Sequence, residues 1–274
     1  MTLDLPLAVN YAAAGAQPPA GPAHMTCYLL PASDEIPDQK EKPMVLVCPG
    51  GAYRFRSARE AEPVAMQFLA AGMHAAVVHY SVAPNRYPCA ALELAYAVQQ
   101  CRRHAAEWHI DPARIFILGF SAGGHLCATL GTLWREPVFR AALGDGCDWK
   151  PDAQVLCYPV ITGGIHAHHY SIGNLTGHRE YCPENEEYST ENYVRRDTKP
   201  MFLWQPVGDE TVPSENSMLM AAALQRHGVP FELHLYSQGW HGIGLADAEV
   251  GSAMPHVASW FPLAVQWLRS MNLG

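Results

Sequence analysis

One serine in this chain stands where it could act as a nucleophile. Gly119-Phe120-Ser121-Ala122-Gly123 joins a β-rich run, Arg114–Phe120, to a helical run from about Ala122 to Trp134. Glycines two before and two after the serine let strand and helix approach closely through a sharp turn. Such a turn holds the serine in a strained conformation, exposes its Oγ and aims the helix N-terminus at the reacting atom. The plain alternative is a tight strand-to-helix turn with a capping serine. Position between a strong strand and a strong helix favours chemistry over capping.

A serine hydroxyl is a weak nucleophile until a base takes its proton and a third group orients that base. Two later strand ends supply candidates in the order Ser, acid, His. The run Met201–Val207 leads into Gly208-Asp209-Glu210-Thr211-Val212-Pro213, and the run Phe231–Tyr236 leads into Gly239-Trp240-His241-Gly242. Ligands of open α/β sheets bind just past strand C-termini, where both candidates fall. His241 between small neighbours suits a tight catalytic loop. Asp209, directly after the turn glycine, is the favoured acid, and Glu210 is its competitor. An oxyanion would need backbone N–H donors. The strand Met44–Cys48 runs into Pro49-Gly50-Gly51-Ala52-Tyr53, so the Gly51 and Ala52 amides, with Ala122 at the helix start, are the candidate donors.

The elements that must hold these groups form a regular alternation. Strand-like runs at Met25–Leu30, Met44–Cys48, Ala75–Tyr80, Arg114–Phe120, Gln154–Val160, Met201–Val207 and Phe231–Tyr236 are interleaved with helical patterns. Those patterns fall at Ser57–Ala71, Cys89–Trp108, Ala122–Trp134, Glu215–His227 and Met254–Ser270. This implies one α/β domain over 1–274, with a mostly parallel sheet covered on both faces. Residues 1–24, rich in Ala, Pro and Gly, read as an irregular arm. Residues 161–198 lack clear periodicity and read as an excursion over the active-site face, a length of loop that is usually functional or hides a missed element.

Composition narrows the function classes. The chain has 274 residues, 49% of them hydrophobic and 16% charged, which suits a large globular core and argues against disorder. A formal net charge of −8 repels nucleic acid. The first 39 residues carry no Lys or Arg and no apolar run reaches membrane-spanning length, so neither a signal peptide nor a membrane partner is expected. Eight scattered cysteines without a CxxC pair read as buried free thiols in a reducing, cytoplasmic setting. His166, His168 and His169 lack the spacing and partners of a metal site, so neither a metal nor another cofactor is expected.

Taken together, PGGAY at 49–53, YSVAP at 80–84 with YP at 87–88, GFSAGGHLCA at 119–128, GDETVP at 208–213 and GWHGIGL at 239–245 resemble the α/β-hydrolase superfamily. More narrowly they resemble its esterase/lipase group, which includes hormone-sensitive-lipase-like enzymes and small acetyl (xylan) esterases. The resemblance runs in the family's order from about residue 44 to 245. It implies an α/β-hydrolase fold with Ser121 as nucleophile, Asp209 as acid, His241 as base, and Gly51, Ala52 and Ala122 as oxyanion donors. It also implies hydrolysis of short acyl esters, acetyl first, of a small molecule or oligosaccharide. Pro49 and Ala52 replace the leading His and third Gly of the family's HGGG motif, and the cap domain is reduced or absent. Tyr53, His168, Tyr170 and Trp240 are the expected substrate contacts. An arylformamidase-like amidase and a non-catalytic binding protein are the competing readings, and a homodimer is left open.

Overall fold

The computed structural model describes residues 1–33, 35, 41–178 and 182–271. Its strands are β1 (Thr2–Pro6), β2 (His24–Tyr28), β3 (Lys42–Cys48), β4 (His74–His79), β5 (Ile110–Phe120), β6 (Ala153–Cys157), β7 (Met201–Pro206) and β8 (Phe231–Tyr236). Its helices are α1 (Glu62–Ala70), α2 (Cys89–Arg103), α3 (Ala105–Trp108), α4 (Ala122–Leu133), α5 (Pro137–Leu143), α6 (His169–Thr176), α7 (Glu215–His227), α8 (Pro255–Ala258) and α9 (Trp260–Ser270). The strands form one sheet in the order β1-β2-β4-β3-β5-β6-β7-β8. β1–β2 and β2–β4 are antiparallel; every pairing from β4 through β8 is parallel.

Alternation along each central strand divides the core in two. On β3, β5 and β7, Met44, Leu46, Ile115, Ile117, Met201 and Leu203 face one side, against Leu92 and Val98 of α2, Leu126 and Leu130 of α4, and Leu224 of α7. Val45, Val47, Phe116, Leu118, Phe202 and Trp204 face the other, against Val64 and Phe68 of α1 and Trp260 and Leu268 of α9. Such strands are buried on both faces, which is why their sequences are continuously apolar. Each fully buried Leu, Ile or Phe contributes about 1.5–3 kcal/mol by leaving water. Parallel order brings the C-terminal ends of β3, β5, β7 and β8 to one edge of the sheet, and the loops that follow them carry the candidate groups.

The structure departs from the sequence reading in particular places. The N-terminal arm is not wholly irregular: Thr2–Pro6 pairs with β2, Leu3 opposite Cys27 and Leu5 opposite Met25. Its two leucines alternate with exposed Thr2, Asp4 and Pro6, a signal only five residues long beside an Ala/Pro/Gly-rich stretch. The excursion at 161–198 contains α6 and two 3-10 turns, Pro183–Tyr188 and Thr190–Tyr193, and residues 179–181 lie outside the description. A break at His104 splits the long Cys89–Trp108 helix in two, and the Ser57–Ala71 pattern divides into a 3-10 turn, Ala58–Glu60, and α1, whose first turn holds Pro63. Residues 34 and 36–40, between the runs Met25–Leu30 and Met44–Cys48, also lie outside the described residues. Among the described residues, no helix is long and apolar enough to cross a membrane.

Candidate active site

Ser121 links β5 to α4 with φ 52° and ψ −117°, a backbone conformation L-residues rarely adopt. Its neighbours explain how the turn closes. A Cβ on Gly119 would strike the Gly123 carbonyl, and a Cβ on Gly123 would strike the Cys48 carbonyl at the end of β3. Only hydrogen at both positions lets strand, helix and the preceding loop meet. The Ser121 N–H donates to Cys157 O of β6 at 3.0 Å, and its carbonyl accepts from Val160 N at 3.0 Å. The turn is therefore stapled to the end of β6 and to the loop that follows it.

His241 reaches Ser121 from the loop after β8. Its Nε2 lies 2.8 Å from Ser121 Oγ, and its Nδ1 lies 2.7 Å from Asp209 Oδ2. The carboxylate at Nδ1 fixes the proton there, so Nε2 is the acceptor for the serine hydroxyl. Asp209 is itself pinned: its Oδ1 accepts from the N–H groups of Thr211 and Val212, both at 2.9 Å. The Asp209 side chain is fully shielded from solvent, whereas Glu210 is exposed. The fold thus joins Ser121, His241 and Asp209 in one hydrogen-bonded chain and leaves Glu210 out.

The loop after β3 borders this chain. Ala52 and Tyr53 both take positive φ, 55° and 54°. Ala52 in that region costs about 1–2 kcal/mol relative to an ordinary turn, so the alanine replacing the motif's third glycine keeps the glycine-like geometry. Neither the Gly51 nor the Ala52 N–H donates to any group among the described residues. Ala122 opens α4, so its N–H has no i−4 helical partner.

The expected substrate contacts divide. Tyr53 is only 2% exposed; its hydroxyl meets His125 Nδ1 at 3.0 Å and its ring packs on Tyr80. It packs in the core rather than presenting its ring to solvent. His168 lies within electrostatic reach of His241 and Asp209 and is held by Ser171 Oγ at 2.7 Å. Burial and the nearby His241 push it down to about 4, so it is neutral at ordinary pH. Tyr170 and Trp240 are each 44% exposed. Among the described residues, no group of three or more His, Cys, Asp or Glu gathers as a metal site.

Several supporting residues carry no sequence signal of their own. Glu60 is buried, and its carboxylate accepts from Gly50 N–H at 2.8 Å and from the Tyr158 hydroxyl at 2.7 Å. Tyr158 Oη also accepts from Gly244 N–H at 2.8 Å, and its ring lies edge-on to His241 at 5.1 Å. One buried carboxylate therefore ties the loop after β3 to the loop bearing His241, and burial holds its proton affinity above that of a free Glu. Asn216, at the start of α7, accepts from Ile161 and Thr162 N–H and donates to the His166 carbonyl, fixing the base of the excursion. Glu60 sits in a stretch that reads as an ordinary helix start. Asn216 reads as a surface polar of a first turn. Only the tertiary fold gives them these partners.

An open, mostly parallel sheet with a strained strand–serine–helix turn and a Ser-His-Asp chain at its C-terminal edge defines a hydrolase scaffold. The family described as the alpha/beta hydrolase fold matches residues 45–245, and the chain belongs to it. It is 36% identical to an acetyl ester-xyloside bifunctional hydrolase from Caldicellulosiruptor lactoaceticus, with TM-score 0.84 over 99% of this chain and 97% of that one. A carboxylesterase from Lactobacillus plantarum also superposes with TM-score 0.84, at 28% identity over 100% of this chain and 98% of that one. An acetylxylan esterase from Xylanibacter ruminicola is 28% identical over 82% of this chain, and an endo-1,4-beta-xylanase from Butyrivibrio fibrisolvens is 34% identical over 77%. The chain spans 44% and 34% of the length of those two proteins respectively.

Proposed function

We propose that this chain is a serine carboxylic-ester hydrolase that removes short acyl groups, acetyl foremost, from carbohydrates through an acyl-enzyme on Ser121. The observation that carries the reading is the unbroken hydrogen-bond chain from Ser121 through His241 to Asp209. His241 Nε2 takes the Ser121 proton as Oγ attacks the ester carbonyl. The developing oxyanion is received by the Gly51, Ala52 and Ala122 amides, each worth about 3 kcal/mol in comparable sites. His241 then returns the proton to the leaving alkoxide. Water, deprotonated in its turn by His241, releases the acid and restores the hydroxyl. Asp209 holds the imidazole tautomer throughout.

The short-acyl, carbohydrate side of the reading is supported by the names of the similar proteins, an acetyl ester-xyloside hydrolase and an acetylxylan esterase. A cytoplasmic setting is supported by eight free cysteines, six of them buried. Ser121→Ala is expected to lower p-nitrophenyl acetate turnover by about 10⁴-fold or more, and acetyl esters are expected to outrun octanoyl esters in the wild type. Near-normal turnover by the variant would overturn the nucleophile. Faster cleavage of N-formylkynurenine than of any acetyl ester would move the activity to an amidase.

A further inference from the structure

A cleft of about 480 Å³ opens beside the loop after β3, and two guanidinium groups line it, Arg54 and Arg86, with Tyr170, Asn174 and Gly177. Its walls are bonded to the candidate oxyanion loop. Asn174 Nδ2 donates to the Ala52 carbonyl at 2.8 Å, and Ala83 N–H donates to the Tyr53 carbonyl at 2.7 Å. Arg54 follows Ala52 by two residues, so their Cα atoms lie within about 7.6 Å. The cleft therefore borders the loop that carries the candidate oxyanion donors.

The two arginines are positioned but uncompensated. Arg102 and Arg135 pair with Asp152 and Asp197. Among the described residues, neither Arg54 nor Arg86 has a carboxylate within 4 Å. Arg54 Nη1 donates to the Tyr170 hydroxyl at 2.7 Å, which ties its guanidinium to another residue of the cleft wall. The Arg86 guanidinium lies directly against Gly177, whose φ of 91° and missing Cβ leave it room. The chain as a whole carries −8, so this is a local reversal of sign that would draw an anion toward one place. A guanidinium fork matches a carboxylate's two oxygens. Tyr170, which lines the cleft, is 44% exposed, and Asn174 keeps its Oδ1 for a hydroxyl.

We propose that this cleft is a subsite for the carboxylate of an acidic sugar, and that the substrates of the neighbouring serine are acyl esters on oligosaccharides bearing a uronic acid. The reaction half of this statement rests on the ester-hydrolase reading; the binding half does not.

The test uses an acetylated oligosaccharide carrying one uronic acid, and the same oligosaccharide with that carboxyl reduced to an alcohol. In the wild type at low salt, kcat/KM for the acid is expected to exceed that for the alcohol by about tenfold, the scale of one charge-assisted hydrogen bond in a partly screened site. That ratio is expected to shrink with added salt. Arg54→Gln and Arg86→Gln should each lower the ratio, and the double variant should bring it close to one. Calorimetric binding of the deacetylated acidic oligosaccharide and its reduced counterpart reads the subsite without turnover. Arg-dependent preference for the acid in binding, with no ester hydrolysed, would support the subsite and remove the reaction. Ester hydrolysis with a wild-type ratio of one, or a ratio the variants leave unchanged, would overturn the subsite and leave the reaction standing.

Discussion

At the scale of the residue, the chemistry turns on which carboxylate orients His241. Two adjacent acids follow β7, and sequence position favours Asp209 without removing Glu210. Geometry separates them. Asp209 Oδ2 lies 2.7 Å from His241 Nδ1, and its other oxygen accepts two backbone N–H groups, so the carboxylate is anchored where it meets the imidazole. Glu210 points to solvent. Asp209→Asn preserves shape but can present an amide N–H to Nδ1, which favours the tautomer with its proton on the wrong nitrogen. Its kcat is expected to fall by about 10³–10⁴-fold, as for other triads. Glu210→Gln is expected to stay within about twofold of wild type. The two variants assayed side by side on p-nitrophenyl acetate decide the matter, and the reverse ranking would reassign the acid to Glu210.

At the scale of the element, what was legible was whatever leaves a local periodic trace. The limits of α7 and β8 match the sequence pattern, because Gly228 and Pro230 stop one and the Phe231–Tyr236 run makes the other. The Ser121 turn was legible for the same reason, since its glycines are demanded by the close approach of β5 and α4. The supports were not, because their partners are remote in sequence. His125 is the clearest case. On α4, one turn after Ser121, it is buried, accepts from the Tyr53 hydroxyl at Nδ1 and donates from Nε2 to the Tyr188 carbonyl at 2.8 Å. It thereby joins the helix behind the serine, the loop after β3 and the excursion at 161–198. Burial pushes it down to about 4, against an ordinary 6.5. Between those values the unfolded chain binds a proton at this position that the folded chain does not, so its contribution is present above about pH 6.5 and is lost as pH falls toward 4. The shift corresponds to about 3 kcal/mol at most. His125→Gln keeps one donor and one acceptor but cannot titrate. The wild-type melting temperature is expected to drop more steeply than the variant's between pH 6.5 and 4. Parallel curves would show that His125 carries none of the acid sensitivity.

At the scale of the whole molecule, the parallel half of the sheet was legible because strands buried on both faces must be continuously apolar. The outermost strand was not, since an edge strand needs only one apolar side. β1 shows the difference: Leu3 and Leu5 pack against the core while Thr2, Asp4 and Pro6 face out, and composition hides so short an alternation. Its position gives it a role that its length does not suggest. β1 covers β2, which would otherwise be the outer strand, and β2 in turn borders β4 of the parallel set. Uncovered, β2 would present a row of unpaired N–H and C=O groups beside Met25 and Cys27, which are now fully buried. Pro6 and the exposed Asp4 suit an outermost strand, because one lacks a donor and the other carries charge. Removing residues 1–7 is therefore expected to lower the melting temperature by several degrees and to produce concentration-dependent association visible by light scattering. The catalytic edge lies across the sheet at β5, β7 and β8, so kcat per folded molecule should change little. A truncated chain that melts with the wild type and stays monodisperse would show that β1 neither stabilises the sheet nor guards its edge.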